Sequence, residues 1–375
     1  MTYNTKTKFR ILFLNLATFH FTGGIERVNR CIYKALDEES TTNALFDYRV
    51  ISVYDSDKEF QDRYANPKKI LNFKNSKIKA TIAAVYYAFF SDTILLSHIN
   101  LALVAYIIKM LFPQKHLIIM AHGIEIWENL SNLQKVVLKK ADRIIAVSQF
   151  TKAKVVENYQ INMNKVVVCN NGLDSFVEVP MNFEKPQELL ERYNIGVDDS
   201  VLFTLCRLSS TEQYKGYDVV LEALSKVVKL KPNLKYLIGG KGDDKEIERV
   251  KNLIKKYHIE NHVQLLGFIK EEELAQHFLL AGTYIMPSQN EGFGIVFIEA
   301  AFYGLNVIAG NIDGSRDALL NDQLGFLVNP NESRETGQAI LKLNPRSFKK
   351  NNLGLVLENL SFLVYKRNLF QSLEV

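Results

Sequence analysis

The strongest constraint in this sequence is a rhythm: short apolar runs alternate with longer amphipathic stretches, and the rhythm breaks once and restarts. In the first half the runs fall at residues 10–16, 48–54, 93–97, 116–121, 143–147 and 165–169. Helical stretches intervene at 24–36, 101–112 and 148–158, the last opening on Ser148. Such alternation is the signature of βα units feeding a parallel sheet. Between 170 and 196 it fades into Asn171-Gly172, Pro180, Pro186 and polar residues, which predicts a linker. It resumes with strands at 201–206, 235–238, 263–265 and 283–286, and with helices at 217–230, 245–257 and 271–281. With 375 residues the chain exceeds what one hydrophobic core supports. The expected architecture is α/β with two Rossmann-like domains, 1–175 and 176–346, and a tail of one or two amphipathic helices over 347–375. Doubly wound sheets take ligands beyond the carboxyl ends of their strands, so two such domains are expected to face each other across a cleft that holds the function.

Several classes are excluded by composition. The chain is 47% hydrophobic and 23% charged, the balance of a globular protein and not of a disordered one. Cys31, Cys169 and Cys206 lie far apart, with no histidine at ligand spacing, so neither a disulfide framework nor a zinc site is readable and a reducing compartment fits. Lys6, Lys8 and Arg10 precede the apolar residues 11–16, but no small-residue cleavage site follows, and this stretch reads as the first strand. The longest apolar runs, 101–108 and 82–90, are far shorter than the roughly 20 residues a spanning helix needs. A cytoplasmic protein, at most resting on a membrane surface, is the expectation. The net charge of +5 is uneven: residues 1–180 carry 23 Lys and Arg against 16 Asp and Glu, the remainder 23 against 25. The first half is therefore suited to something anionic.

The most informative segment runs from Pro287 to Glu299, PSQNEGFGIVFIE, after one predicted strand and into a predicted helix. Gly292 and Gly294 let a ligand approach the main chain, and a helix beginning near Ile295 offers N–H groups to phosphate. Glu291 and Glu299 supply two carboxylates for sugar and ribose hydroxyls. Arg207, at a strand end, and Lys215-Gly216 form a cationic pair suited to a diphosphate leaving group or, taken without the downstream glutamates, read as ordinary surface charges. Gly23-Gly24 follows the first strand, where backbone amides meet phosphate or sugar, or where a plain turn would serve; the absence of GxGxxG speaks against a nicotinamide site. His122, at a strand's carboxyl end before Gly123, either hydrogen-bonds a hydroxyl or is buried and satisfied by backbone. His98 and His20 are weaker strand-end candidates. Asp55-Ser56-Asp57 reads as a solvated acidic turn and not as a cation site. Lys68, Lys69, Lys74, Lys77 and Lys79 precede the aromatic-rich run 82–90, a pattern that suits docking to an anionic membrane or, equally, a buried helix with a basic lead-in.

Taken together, these segments resemble the family 4 nucleotide-sugar glycosyltransferases, whose two facing Rossmann-like domains form the GT-B fold. The carriers are GGIER at 23–27, HGIEIW at 122–127, ADRIIAVS at 141–148, Arg207 with Lys215-Gly216, and Glu291 with Glu299. The resemblance implies a retaining, metal-independent transferase without a cofactor, in bacterial surface polysaccharide synthesis. Its partners would be a nucleoside diphosphate sugar and a glycan or lipid-linked glycan acceptor; the lysines before the run 82–90 add peripheral contact with an anionic membrane to the expectations, and no nucleic-acid partner is expected. It implies that Arg207 and Lys215 hold the diphosphate, Glu291 the transferred sugar and Glu299 the ribose. Gly294, Ile295 and Val296 would add backbone contacts, and Gly267, Phe268 and Ile269 would meet the base. His122, Gly23 and Gly24 would line the reacting centre, and the tail would cross back to the first domain. The chain departs from the family pattern in the eight-residue step from Arg207 to Lys215, in Cys206 where glycine is common, and in Asn306 where proline is usual. A non-catalytic nucleotide-sugar or glycan binder on the same fold is the alternative, against which the intact charged set argues.

Overall fold

The computed structural model describes residues 8–343 and 350–374; Lys6 and the expected 346/347 boundary lie outside them. Two compact units result, one running to Val177 and resuming at Leu360, the other spanning Glu178–Asn359. In chain order the first contains β1 (Phe9–Asn15), α1 (Gly24–Thr42), β2 (Phe46–Ser52), β3 (Ile70–Asn72), α2 (Lys77–Phe89), β4 (Thr93–Leu96) and α3 (Ala102–Leu111). There follow β5 (His116–Ala121), α4 (Ile124–Trp127), α5 (Asn132–Lys140), β6 (Arg143–Ala146), α6 (Gln149–Tyr159) and β7 (Val166–Val168). Over the described residues the sheet is seven-stranded, parallel, and ordered β3-β2-β1-β4-β5-β6-β7.

Both faces of this sheet are covered, which is why its strands read as continuous apolar runs. Leu12, Leu14, Ile94, Leu96, Leu117, Ile119 and Ile144 share one core with residues of α2, α3, α5 and α6, while the alternate residues Ile11 and Phe13 are buried outside that cluster. Helix α1 runs six residues past the expected Leu36, because Ser40, Thr41 and Thr42 hydroxyls donate back to the carbonyls of Asp37 and Glu38 and satisfy the polar end. Ser148 caps α6 by accepting from Thr151 N.

The second unit holds α7 (Gln187–Arg192), β8 (Ser200–Leu205), α8 (Tyr217–Val227), β9 (Leu234–Gly239), α9 (Asp244–Lys256), β10 (Val263–Gly267), α10 (Leu274–Leu280) and β11 (Thr283–Met286). It continues with α11 (Ile295–Phe302), β12 (Asn306–Gly310), α12 (Ser315–Ala318), β13 (Gly325–Val328), α13 (Ser333–Lys342) and α14 (Lys350–Leu360). Its parallel sheet, six-stranded over the same residues, is ordered β10-β9-β8-β11-β12-β13. Part of the expected linker belongs to this unit: α7 buries Leu189 and Leu190 and packs on α10, where Arg192 pairs with Glu273 at 2.8 Å. The expected helix at 271–281 is a tight turn at Glu271–Glu273 followed by α10.

The last helix, α15 (Phe362–Leu373), lies in the first unit. Leu360 O accepts from Leu173 N at 2.9 Å, Lys366 pairs with Glu38 at 3.0 Å, and Phe370 packs edge-on against Phe46.

Candidate functional site

In the second unit the chain reverses direction across the sheet at β8, with β9 and β10 to one side and β11 to β13 on the other. Loops therefore leave the carboxyl ends of two neighbouring strands, β8 and β11, at the place where doubly wound sheets bind ligands. Arg207 and Lys215 stand on the first loop and Glu291 on the second.

The first loop tightens at Gln213–Lys215 and enters α8 through Gly216, whose φ is +80°. A Cβ on Gly216 would sit 2.1 Å from Pro287 O, so only glycine lets the two loops approach this closely. Gln289 N donates to Tyr214 O at 3.0 Å across the same seam. Lys215 Nζ consequently reaches Glu291 Oε1 at 2.5 Å, with both side chains largely buried. Burial alone would depress the Lys215 ammonium, but Glu291 and Tyr214 outweigh it and hold the group above the usual lysine range. Arg207 is exposed and donates to Glu212 Oε1 at 2.9 Å. Burial raises the Tyr214 phenol, and the Lys215 ammonium lies 5.2 Å from its ring centre. Neighbouring Cys206 is no nucleophile: burial pushes its thiol up to about 12.

The main chain of Glu291 is clamped. Its N–H donates to Asp313 Oδ2 at 2.7 Å, its carbonyl accepts from Gly314 N at 2.8 Å, and Ser315 N donates to Asp313 Oδ1 at 2.9 Å. Burial, with the Glu291 charge adding to it, pushes the Asp313 carboxyl up to about 7 against these hydrogen bonds. Gly294, at φ +88°, turns the chain into α11, which starts at Ile295 without a side-chain cap; the N–H groups of that first turn suit an anionic ligand. Val296 lies in the same turn and Glu299 one turn on, half-buried. At the end of β10, Gly267 O accepts from Gly240 N at 2.7 Å and Phe268 is exposed, whereas Ile269 is buried beneath Gly239. The Ile269 side chain thus packs the fold, and only its backbone is left to serve a ligand.

In the first unit the reversal falls at β1, between β2 and β4. Gly23-Gly24 begins α1 there, and a Cβ on Gly24 would meet nothing within 4 Å, which leaves room at the helix start. The loop leading to it is fixed by Asp55, whose carboxylate accepts from Thr18 N, Phe19 N, His20 N and Ser52 Oγ at 2.7–2.9 Å. The expected solvated turn at Asp55-Ser56-Asp57 is therefore corrected: Asp55 is fully buried, because these donors replace its water. Asp57 accepts from Asn72 at 3.0 Å.

At the end of β5, His122 is buried, with Nε2 2.9 Å from Ser97 O. A carbonyl only accepts, so Nε2 carries the proton; burial, reinforced by His98, lowers the imidazole to about 3 and keeps it neutral. Nδ1 is then an acceptor, and it has no partner among the described residues. The structure bears out the backbone-satisfied reading through Nε2 and leaves Nδ1 as a buried acceptor. Glu125 accepts from His122 N at 2.7 Å, and burial raises its carboxyl. His98 accepts from Asn100 N, and His20 pairs with Glu59 at 2.8 Å. Among the described residues no three His, Cys, Asp or Glu side chains gather as a metal site, and no helix is long and apolar enough to cross a membrane.

Consecutive stretches of the chain match two family descriptions, Glycosyltransferase Family 4 over residues 22–175 and Glycosyl transferases group 1 over residues 187–352. The chain belongs to the family 4 glycosyltransferases. Its fold is GT-B: HepE of Anabaena, solved with UDP and glucose, superposes with a TM-score of 0.78 at 19% identity over 97% of this chain and 99% of that one. A glycosyltransferase from Rickettsia africae ESF-5 gives 0.76 at 23% identity, with 98% of each chain covered. An uncharacterised 41.2 kDa protein in the cps region of Klebsiella pneumoniae is 27% identical over 52% of this chain and 50% of its own length. The chain spans about half the length of the curated relatives it matches. In this family 4 glycosyltransferase, sequence reasoning missed Asp313 and Tyr214. The signal for Asp313 was an Asp-Gly-Ser turn two residues after the segment 306–310, which carries the apolar Val307, Ile308 and Ala309.

Proposed function

We propose that the protein transfers a sugar from a nucleoside diphosphate sugar to an acceptor hydroxyl, with retention and without a metal, in the assembly of a bacterial surface polysaccharide. The carrying observation is the buried Lys215–Glu291 pair at the switch point between β8 and β11. Each partner neutralises the other until a donor arrives. The donor diphosphate then takes over the Lys215 ammonium, and the freed Glu291 carboxylate accepts from hydroxyls of the sugar. As the bond from the anomeric carbon to the phosphate oxygen breaks, charge builds on the departing diphosphate, where Lys215 and Arg207 stabilise it. The acceptor oxygen bonds to the anomeric carbon, and its proton passes to the leaving phosphate oxygen. Glu299 accepts from the ribose, the backbone from Gly294 to Val296 meets phosphate, and Gly267 to Ile269 border the base. In the first unit, His122 Nδ1 and the backbone at Gly23-Gly24 are the groups we assign to hydroxyl contacts.

HepE was solved with UDP and glucose, which makes UDP the first base to test. The Klebsiella relative supports a surface-polysaccharide setting, with a lipid-linked glycan as the acceptor we favour. Equilibrium titration with UDP, GDP and ADP tests the donor site directly. One nucleotide should bind selectively, and Glu299→Ala should weaken it about tenfold or more, the loss expected for a hydrogen bond to a charged group. With the matching nucleotide sugar, Lys215→Ala and Glu291→Ala should lower turnover while the melting temperature confirms a folded protein. A folded parent that binds none of the three nucleotides overturns the proposal.

A further inference from the structure

One helical layer of the first unit presents its residues the wrong way round for a face in water. Helix α2 turns Ala80, Ala84 and Ala88 into the core and Ile78, Ile82, Tyr86 and Phe89 outward, the last four being 77%, 65%, 61% and 61% exposed. At 100° per residue these four fall within an arc of about 80°, opposite the alanines. Helix α3 repeats the arrangement, with Ala102, Ala105 and Ile108 inside and Leu103, Met110 and Leu111 outside. A surface helix with only water outside carries its large apolar residues inward.

The two exposed faces are neighbours, since α2 packs on α3 and α3 on α5. Phe89 touches Phe112, just past the end of α3, at a ring separation of 5.9 Å, and Phe90 contacts both Phe89 and Tyr86. Exposed apolar residues scattered singly need no explanation; a contiguous group of this kind marks an interaction surface.

Charge selects the occupant. Helices α2, α3 and α5 contain no Asp or Glu. Lys74, Lys77, Lys79, Lys135, Lys139 and Lys140, on or beside them, are all exposed, while Lys109 is drawn to Asp142 at 3.1 Å. A second copy meeting the patch would bring like charges together around it. An anionic bilayer satisfies both features: the aliphatic and aromatic side chains sink below the headgroups, and the lysines stay at the level of the lipid phosphates.

We propose that this face of α2 and α3, ringed by the lysines of α2 and α5, docks the protein on an anionic lipid bilayer. The inference goes beyond donor binding, which belongs to the other unit. The test is flotation of the whole protein with vesicles of phosphatidylcholine alone and of phosphatidylcholine with phosphatidylglycerol. The protein should float with the anionic vesicles, much less with the neutral ones, and less as salt is raised. The variant Ile82→Asn/Phe89→Asn and the variant Lys74→Glu/Lys77→Glu/Lys79→Glu should each cut partitioning by about tenfold or more. All five positions are exposed, so the melting temperature and the UDP titration should stay at parental values; a failure of UDP to bind any version would count against the donor site and not against this surface. Absence of vesicle binding, equal binding to both vesicle types, or binding unchanged in both variants overturns the proposal. So does a parental dimer, seen by light scattering, that Ile82→Asn/Phe89→Asn dissolves while vesicles go unbound.

Discussion

Asp313 holds the Glu291 main chain from a buried position, and that burial makes it titrate near neutrality. Its native pKa of about 7 lies above the value of an unfolded aspartate, so between about pH 4 and pH 7 the native state binds more protons than the unfolded one. Stability from this group is fully present below about pH 4, falls as pH rises, and levels off above about 7. His122 acts with the opposite sign, since an imidazole lowered to about 3 takes stability away as pH drops below about 6.5. Asp313→Asn should therefore flatten the fall in melting temperature between pH 5 and pH 8 relative to the parent, while leaving the loss toward acid in place. Melts of both proteins across that range check it, and parallel curves would refute it. The loop positions of Lys215 and Glu291 were legible in the sequence because each charged side chain stands directly before a glycine in a segment that follows a strand. Asp313 was not, because its role is set by two loops 22 residues apart in sequence meeting at β11 and β12.

At the scale of elements, the seam between the β8 and β11 loops depends on Gly216. Any side chain there must adopt a left-handed backbone and also displace Pro287 O, 2.1 Å from where its Cβ would lie. Gly216→Ala should cost about 1–3 kcal/mol of stability, by backbone strain plus steric displacement. It should also weaken donor binding, because Lys215 is the adjacent residue. Denaturant unfolding with a nucleotide titration measures both, and an unchanged midpoint would show that the seam relaxes freely. Strands β5 and β11 match their sequence boundaries to the residue, since runs buried on both faces end where their apolar residues end. Edge strand β3 went unread because three residues, Ile70–Asn72, carry no periodicity. Helix α7 hid in the linker because it buries only two side chains, Leu189 and Leu190.

Across the whole molecule, the first unit is discontinuous in sequence: the chain leaves it after Val177 and returns at Leu360. That return depends on α15, whose Tyr365, Leu369 and Leu373 are buried, and on Gly172, where a Cβ would lie 2.6 Å from Cβ of Tyr365. The tail's amphipathic pattern was visible in the sequence and the first change of unit was expected two residues from Val177, but the point of return at Leu360 was not marked, because both units offer apolar surface to a helix. Tyr365 separates packing from polarity at this junction. Its ring is 1% exposed, and among the described residues its hydroxyl finds no hydrogen-bond partner. Tyr365→Ala opens a cavity and should cost about 3–5 kcal/mol. Tyr365→Phe removes an unsatisfied hydroxyl at almost constant shape and should be neutral or stabilising. If α15 is integral to the first unit, the alanine variant lowers the melting transition of that unit and leaves nucleotide affinity, which belongs to the other, at the parental value. Calorimetry with a UDP titration reads the two separately. A loss of stability in Tyr365→Phe as large as in Tyr365→Ala would mean that the hydroxyl, and not the ring, fastens the returning helix.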